Sequence, residues 1–324
     1  MADTLINLVE FAKGMNNLVA SGMIEQFARE SDVLQTIGFK QAPQGINRYE
    51  RQTSEPAVNF RLLNAEPEIS HGSSETLQDA CYPISGLIEF DRIKLQRYGA
   101  GKKTMDMLGQ MSNAARLWTT TFITGNNRLD PSRFSGLQAR LTADSSGSVD
   151  GSSDDSRLLA NSISSGGGAL SMSKMDLAES LVARPTHWLA SRRMLVKFKA
   201  AARDPNLTNN RFTDDYDSQL GRRVTRFGDI PILTGYEPSK GSSFLPFNEV
   251  AFGGGAAVTT SLSLVSFRED GVCGIQTAEP TYEPVDTDRG VFKRDLFEWD
   301  NGITIEDHYS ALRLSSVADA PIVA

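Results

Sequence analysis

One short run in the sequence approaches a nucleotide-binding loop. Tyr98-Gly-Ala-Gly-Lys-Lys-Thr104 sets glycines, two lysines and a threonine after a segment that reads as a strand. A phosphate-binding loop needs Gly-x-x-x-x-Gly-Lys-Ser/Thr, because backbone amides cradle the phosphates and a hydroxyl reaches the metal. Here Lys103 stands where the hydroxyl belongs, and Gln96 stands where the first glycine belongs. The run fails twice, and nucleotide chemistry is not expected of it. Asp286-Thr-Asp-Arg-Gly290 begins like a calcium loop, whose twelfth position must supply a bidentate glutamate. That position is Phe297. The sphere cannot close, so a turn between strands is expected.

The other chemistry-bearing residues are dispersed. His71, His187 and His308 lie far apart and match no metal-ligand spacing. His187 beside Trp188 reads as a packed strand residue. Val272-Cys-Gly274 resembles the setting of a nucleophilic cysteine, but it sits in a strand-like run with no local activating group. Cys81 and Cys273 form no pattern, and they read as incidental thiols in a reducing compartment. Gly166-Gly-Gly168 and Gly253-Gly-Gly255 read as loops. The expected set of catalytic, cofactor-binding and metal-binding residues is therefore empty, with no cofactor.

The balance of charge points the same way. The net charge is −7 and the densest basic pairs are only Arg192-Arg193 and Arg222-Arg223, whereas a protein that grips nucleic acid clusters its lysines and arginines. Hydrophobic residues at 40% and charged residues at 23% suit a chain that buries a core. No apolar run reaches the roughly 18 residues of a membrane span, and Met1–Glu10 lacks the form of a signal peptide. A soluble, intracellular chain is expected.

The elements that would position these residues follow from periodicity. Leu5, Leu8, Val9 and Ala12 behind Asp3 predict a first helix capped by Asp3, and Gly14 with Asn16-Asn17 interrupts it. Met23, Ile24, Phe27 and Ala28 predict a second. Two placements fit this pair: the surface of a domain, or an arm docked on a neighbouring subunit. Pro43 to Glu66 reads as an extended hairpin, with strands at 46–52 and 57–63 joined by Thr53-Ser-Glu-Pro56. A lone hairpin is marginal in water, so this one must lie on its own domain or on another molecule.

The longest helix is predicted from about Gly101 to Thr124, with a stripe of Met105, Leu108, Met111, Ala115, Trp118 and Phe122. At 1.5 Å per residue it would be roughly 35 Å long, which suits a rigid spine. Asp144 to Gly168, rich in Ser, Gly and Asp, reads as a solvated loop. A helix from Ser173 through Ala183, a strand at 186–190 and a helix from Arg192 to Arg203 follow. Strands are predicted at 222–227, 230–234, 261–267, 271–277, 291–299 and 309–314. Helices and strands without regular alternation predict an α+β class.

The order of these pieces resembles the major capsid proteins of tailed bacteriophages, with their Hong Kong 97-like fold. Three stretches are similar in wording to one branch of that family: Met23-Ile-Glu-Gln-Phe-Ala-Arg-Glu-Ser-Asp-Val-Leu34, Phe134-Ser-Gly-Leu-Gln-Ala-Arg-Leu141 and Gly221-Arg-Arg-Val-Thr-Arg-Phe-Gly-Asp-Ile-Pro-Ile232. The resemblance implies an N-terminal arm at 1–38 and an extended loop, a β-hairpin, at 39–78. It implies a peripheral domain with the spine helix at 79–135 and an axial domain at 136–284. C-terminal strands at 285–324 would complete the peripheral domain.

The same resemblance implies a structural, non-enzymatic role. Homo-pentamers and hexamers would close an icosahedral shell around double-stranded DNA, as part of a virion assembled in the bacterial cytoplasm. The implied partners are the chain itself, a separate scaffolding protein, a portal and a decoration or cement protein, with no membrane. The scaffolding protein is expected to be separate because the arm-like sequence begins at the first methionine. Some relatives join a loop lysine to a neighbour's asparagine, but between Gln41 and Ile93 this chain has no lysine. An encapsulin-like compartment shares the implied fold, and an α+β hydrolase with a dispersed site is the rival from another class.

Overall fold

Wherever apolar residues recur every third or fourth position the chain is helical, and where they alternate it is extended. The structure, a computed structural model, describes residues 5–15, 18–141, 162–204, 211–218, 220–236, 243–250, 258–285 and 291–323. Asp3, the Asn16-Asn17 pair, Asp286–Gly290 and most of the serine-rich stretch lie outside those residues.

The chain opens with α1 (Leu8–Gly14), α2 (Leu18–Arg29) and α3 (Asp32–Thr36), followed by β1 (Phe39–Gln41). The α1 cap is Asn7, whose side chain accepts from the Val9 amide at 2.9 Å. The hairpin strands β2 (Ile46–Ser54) and β3 (Ser73–Ala80) come next. β4 (Tyr82–Asp91), α4 (Arg92–Tyr98), the long α5 (Ala100–Thr124) and α6 (Leu137–Arg140) follow. The later half holds β5 (Ser162–Ser164), α7 (Met172–Leu181), β6 (His187–Leu189), α8 (Arg192–Ala201), β7 (Phe212–Asp217), β8 (Arg222–Phe227) and β9 (Ile230–Leu233). It ends with β10 (Glu249–Val250), β11 (Val258–Val265), β12 (Val272–Gln276), β13 (Thr281–Val285), β14 (Phe292–Ile305) and β15 (Ala311–Ala318).

These strands form two main sheets and one isolated pair. One sheet runs β1-β12-β14-β13, with β4 also paired to the long β14, and the other runs β5-β15-β11-β6-β9-β8-β7, with β10 on β11. β2 and β3 pair only with each other. Against the first sheet lies α5, and the space between them is filled with aromatic rings. Trp118 stacks on Phe122 at 5.3 Å and meets Phe39 at 5.8 Å and Trp299 at 6.1 Å. Phe27 of α2 meets Trp299 edge-on at 5.3 Å, so the N-terminal helices share this core. Gly274 of β12 lies directly under Phe39: a Cβ there would stand 2.3 Å from the ring, and only glycine allows that approach. A second core of Trp188, Phe198, Phe227, Leu264 and Leu314 packs α7 and α8 on the second sheet.

Several sequence expectations are corrected here. The partner of β2 is β3, not residues 57–63, which pair with no strand. Phe60 and Leu62 alternate as a strand does, but β2 pairs with β3 from Ile46↔Ala80 to Ser54↔Ser73, with a bulge between Gln52 and Ser54. The α5 stripe holds from Met111 to Phe122, yet Met105 and Leu108 are exposed and Met107 is buried instead. The buried face continues through Met107, four residues before Met111 and on the same side of the helix. The C-terminal strands divide. β14 joins the first sheet, whereas β15 pairs with β11 and sends Leu312, Leu314 and Val317 into the second core. β12 and β13, within the stretch that the resemblance gives to an axial domain at 136–284, pair in the first sheet. Part of the predicted serine-rich loop is strand, since β5 pairs in parallel with β15.

Candidate functional site

Among the described residues, those singled out for chemistry are not brought together, and most of them are held in structural contacts. Lys102 and Lys103 lie in the first turn of α5. Lys103 pairs with Asp295 at 2.8 Å and sits 5.5 Å from the Phe90 ring centre, so it fastens the helix to β14 and β4. Cys273 is buried in β12, and burial pushes its thiol up to about 12, the opposite of an activated nucleophile. Burial also raises Cys81, to about 11. His187 lies against Phe267 at 5.2 Å, and burial lowers it to about 4, which keeps the ring neutral. His308 lies against Tyr309, and His71 sits at the far end of the hairpin. Among the described residues no group of three or more His, Cys, Asp or Glu could hold a metal ion.

The basic pairs are likewise engaged. Arg222 reaches Asp32 at 2.5 Å, and Arg193 pairs with Asp319. Burial raises the Asp32 carboxyl, against the pull of Arg222 and the Thr234 amide. This pair ties α3 to β8 and β9.

What stands out is the β2–β3 hairpin. Its base is clamped to the end of β14. Arg51 is buried and donates to the carbonyls of Ile305 at 2.6 Å and Glu306 at 3.0 Å. Asn47 donates to Thr304 Oγ1 and to Glu306 Oε1, the same oxygen that Lys40 reaches at 2.9 Å. On the other strand Asp79 meets Arg140 at 2.7 Å. Charged hydrogen bonds of this kind, half buried, hold a strand pair in direction better than exposed ones.

Beyond Ser54 and Ser73 the loop leaves the body of the subunit. Its own polar bonds shape it: Ser70 donates to the Ala57 carbonyl, Arg61 to Ala65, and the Ala65 amide to Leu62. Asn64 has φ of 70°, which a short polar side chain tolerates. The apolar residues point outward. Relative exposure is 94% for Val58, 108% for Phe60, 82% for Leu62, 96% for Leu63 and 87% for Ile69. Single exposed apolar residues are ordinary, but a contiguous group at the end of a projecting loop marks an interaction surface. Fully burying one such side chain is worth about 1.5–3 kcal/mol. The sequence reading missed this surface. The signal was present as alternating apolar residues shut between Pro56 and Pro67, a span with no room for a partner strand.

No family model and no curated protein matches the sequence. Solved structures do match. The encapsulin of the holo-SrpI complex from Synechococcus elongatus PCC 7942 is similar with a TM-score of 0.60 and 11% identity, over 90% of this chain and 89% of that one. The capsid of a native GTA particle gives 0.58 and 11%, over 90% and 91%. A chain of Mycobacterium phage Bobi gives 0.55 and 11%, over 90% and 89%. At such identities the likeness is one of fold, over 90% of this chain: the chain has the Hong Kong 97-like capsid fold.

Proposed function

We propose that this chain is a structural shell subunit, the major capsid protein of a phage-type head, and that it works by assembling with copies of itself. The observation that carries this reading is the projecting hairpin of a capsid fold that ends in uncovered Val58, Phe60, Leu62, Leu63 and Ile69. A monomer in water gains nothing from that tip. A neighbour that covers it gains the burial of several large side chains, and a closed shell repeats the gain at every subunit. Many modest contacts per subunit then add up to a cage whose individual contacts can still correct.

In this reading 1–38 is the arm, 39–78 with the rest of β3 is the extended loop, and α5 with the first sheet is the peripheral piece. The second sheet with α7 and α8 is the axial piece. Copies associate as pentamers and hexamers around double-stranded DNA, with a separate scaffolding protein, a portal and a decoration protein as partners. The net charge of −7 suits a wall that encloses DNA without gripping it. The full chain, expressed with and without a scaffolding protein, is expected to sediment as large particles. Monomers and small oligomers alone would contradict the proposal. The contents of the particles, DNA or packaged protein, separate a phage head from a compartment.

A second expectation concerns the amine. Beyond Lys40 the loop has no lysine, and Lys40 at its base is engaged by Glu306 at 2.9 Å. Burial favours the neutral amine of Lys40, but the hydrogen bond and charge of Glu306 outweigh it and raise its pKa, so it stays protonated. A protonated ammonium cannot attack an amide carbon. Boiled, denatured particles should run as one band near 35.4 kDa. A ladder that survives reductant would overturn this.

A further inference from the structure

The charges of this chain are unevenly spread. From Ser180 to Arg203 it holds no acid and six cations, Arg184, Arg192, Arg193, Lys197, Lys199 and Arg203, although its net charge is −7. All but Arg184 belong to α8 and the turn that ends it. Met194, Phe198 and Ala201 bury one side of this helix in the second core. Arg192, Val196, Lys199 and Arg203 follow at intervals of four, three and four, which makes one row along the other side. At 1.5 Å per residue the row is about 16 Å long. Val196 is 66% exposed, and Lys199 and Arg203 are exposed beside it.

The fold turns this row outward. Neighbouring residues of β6 and β9 enter different cores, Trp188 and Ile232 the second, Leu189 and Leu233 the first. α8 therefore covers the face of the second sheet turned away from the first core. The acids nearby do not neutralise it. Asp319 is shared by Arg193 and Lys197, and Asp32 is drawn by both Arg222 and Arg192. Asp204 follows the helix, and Asp214 on β7 accepts from Thr225. Against these four acids stand six cations, Arg222 and the five of α8. Lys199 and Arg203 make no ion pair among the described residues.

We infer that the outer row of α8 touches the phosphate backbone of the duplex DNA that the shell encloses, without reading its bases. The inference rests on the shell reading and names the side of the subunit that lines the interior. Guanidinium and ammonium groups in a row suit a run of phosphates, and the small Val196 and Ala200 let a backbone come close. Three such contacts are few, so the bond is weak and broken by salt, as suits a wall around DNA that must move. The acids elsewhere on the chain do not cancel it, because charges farther than about 8 Å are largely screened at physiological salt. An acidic protein segment is the other polyanion that could lie here. A filled shell favours DNA, which it holds at high effective concentration.

The test titrates the unassembled full chain into a short fluorescent DNA duplex and reads anisotropy between about 50 and 200 mM salt. With three phosphate contacts the affinity should fall roughly fortyfold over that range, a log–log slope of about −2.7. Lys199→Gln with Arg203→Gln should leave a slope of about −0.9, a fall of only three- to fourfold. Lys199→Arg with Arg203→Lys should keep the full slope. Arg128→Gln with Lys293→Gln removes the same charge from exposed positions elsewhere and should change nothing. Equal losses from both glutamine pairs, or none from the α8 pair, would overturn the inference and leave the shell reading intact. Tighter binding of polyglutamate of matched charge would also overturn it, in favour of an acidic protein. The α8 pair should unfold at the unsubstituted midpoint and still form shells. A folded variant that forms none would make the row a contact between copies instead. In DNA-filled particles, formaldehyde should join DNA to the peptide that holds Lys199, and cross-links confined to other peptides would contradict the interior placement. Failure of the unsubstituted chain to form particles would sink the shell reading by itself, whatever the titration shows.

Discussion

Replacing residues 55–72 by an Asn-Gly turn is expected to leave a folded subunit that forms no shell. Ser54 and Ser73 are already paired, so a two-residue connection closes the ladder without moving either strand. None of the removed side chains is buried, apart from a half-buried Ser70, and the clamp of Arg51, Asn47 and Asp79 remains in place. The subunit's unfolding free energy should therefore change by no more than about 0.5 kcal/mol, the range of surface changes. Assembly loses the burial of up to five large apolar side chains per subunit, each worth about 1.5–3 kcal/mol. Chaotrope unfolding and sedimentation read the two halves separately. Loss of a cooperative transition would show that the loop belongs to the subunit's own core, and intact shells would show that the tip is dispensable.

Trp118→Ala is expected to destabilise the subunit by about 3–5 kcal/mol, enough to threaten folding of a typical domain. Trp118 is fully buried where α5, β1 and β14 converge, in ring contact with Phe39, Phe122, Phe134 and Trp299. Alanine would leave a cavity that four rigid rings cannot close. Its indole nitrogen is buried without a hydrogen-bond partner among the described residues, so no polar contact is lost. Trp118→Phe should then cost much less, about 1–2 kcal/mol. Chaotrope unfolding of the two variants checks the ordering, and equal losses would show that volume does not set the cost.

The sequence made some of this architecture legible because packing and periodicity coincide there. The stripe along α5 from Met111 to Phe122 kept its helical spacing, and β8 ran from Arg222 to Phe227 as read. Polar strands escaped notice. β7, Phe-Thr-Asp-Asp-Tyr-Asp, carries three acids that disfavour an isolated strand, and it forms because β8 pairs along its whole length and Thr225 donates to Asp214 at 2.6 Å. β3 was hidden for the same reason, since Ser73–Gln78 shows little apolar pattern and its register comes from β2. The first turns of α5 were misread because Met105 and Met107 are equally apolar, and only the position of β4 decides which one is covered.

The candidate site divides along similar lines. Failed motif spacing at Lys102-Lys103 could be read from residues alone, and so could the lysine-free loop. The assembly surface could not. Val58 to Leu63 look like a half-buried strand until the fold pairs β2 with β3 and leaves them outside.

The most direct measurement is electron microscopy of the purified full-length chain, expressed with and without a scaffolding protein. Closed shells built of five- and six-fold capsomers, with density for the β2–β3 hairpin lying over the adjacent subunit, are the predicted result. Monodisperse subunits or small oligomers under both conditions, with the hairpin folded on its own body, would contradict the account.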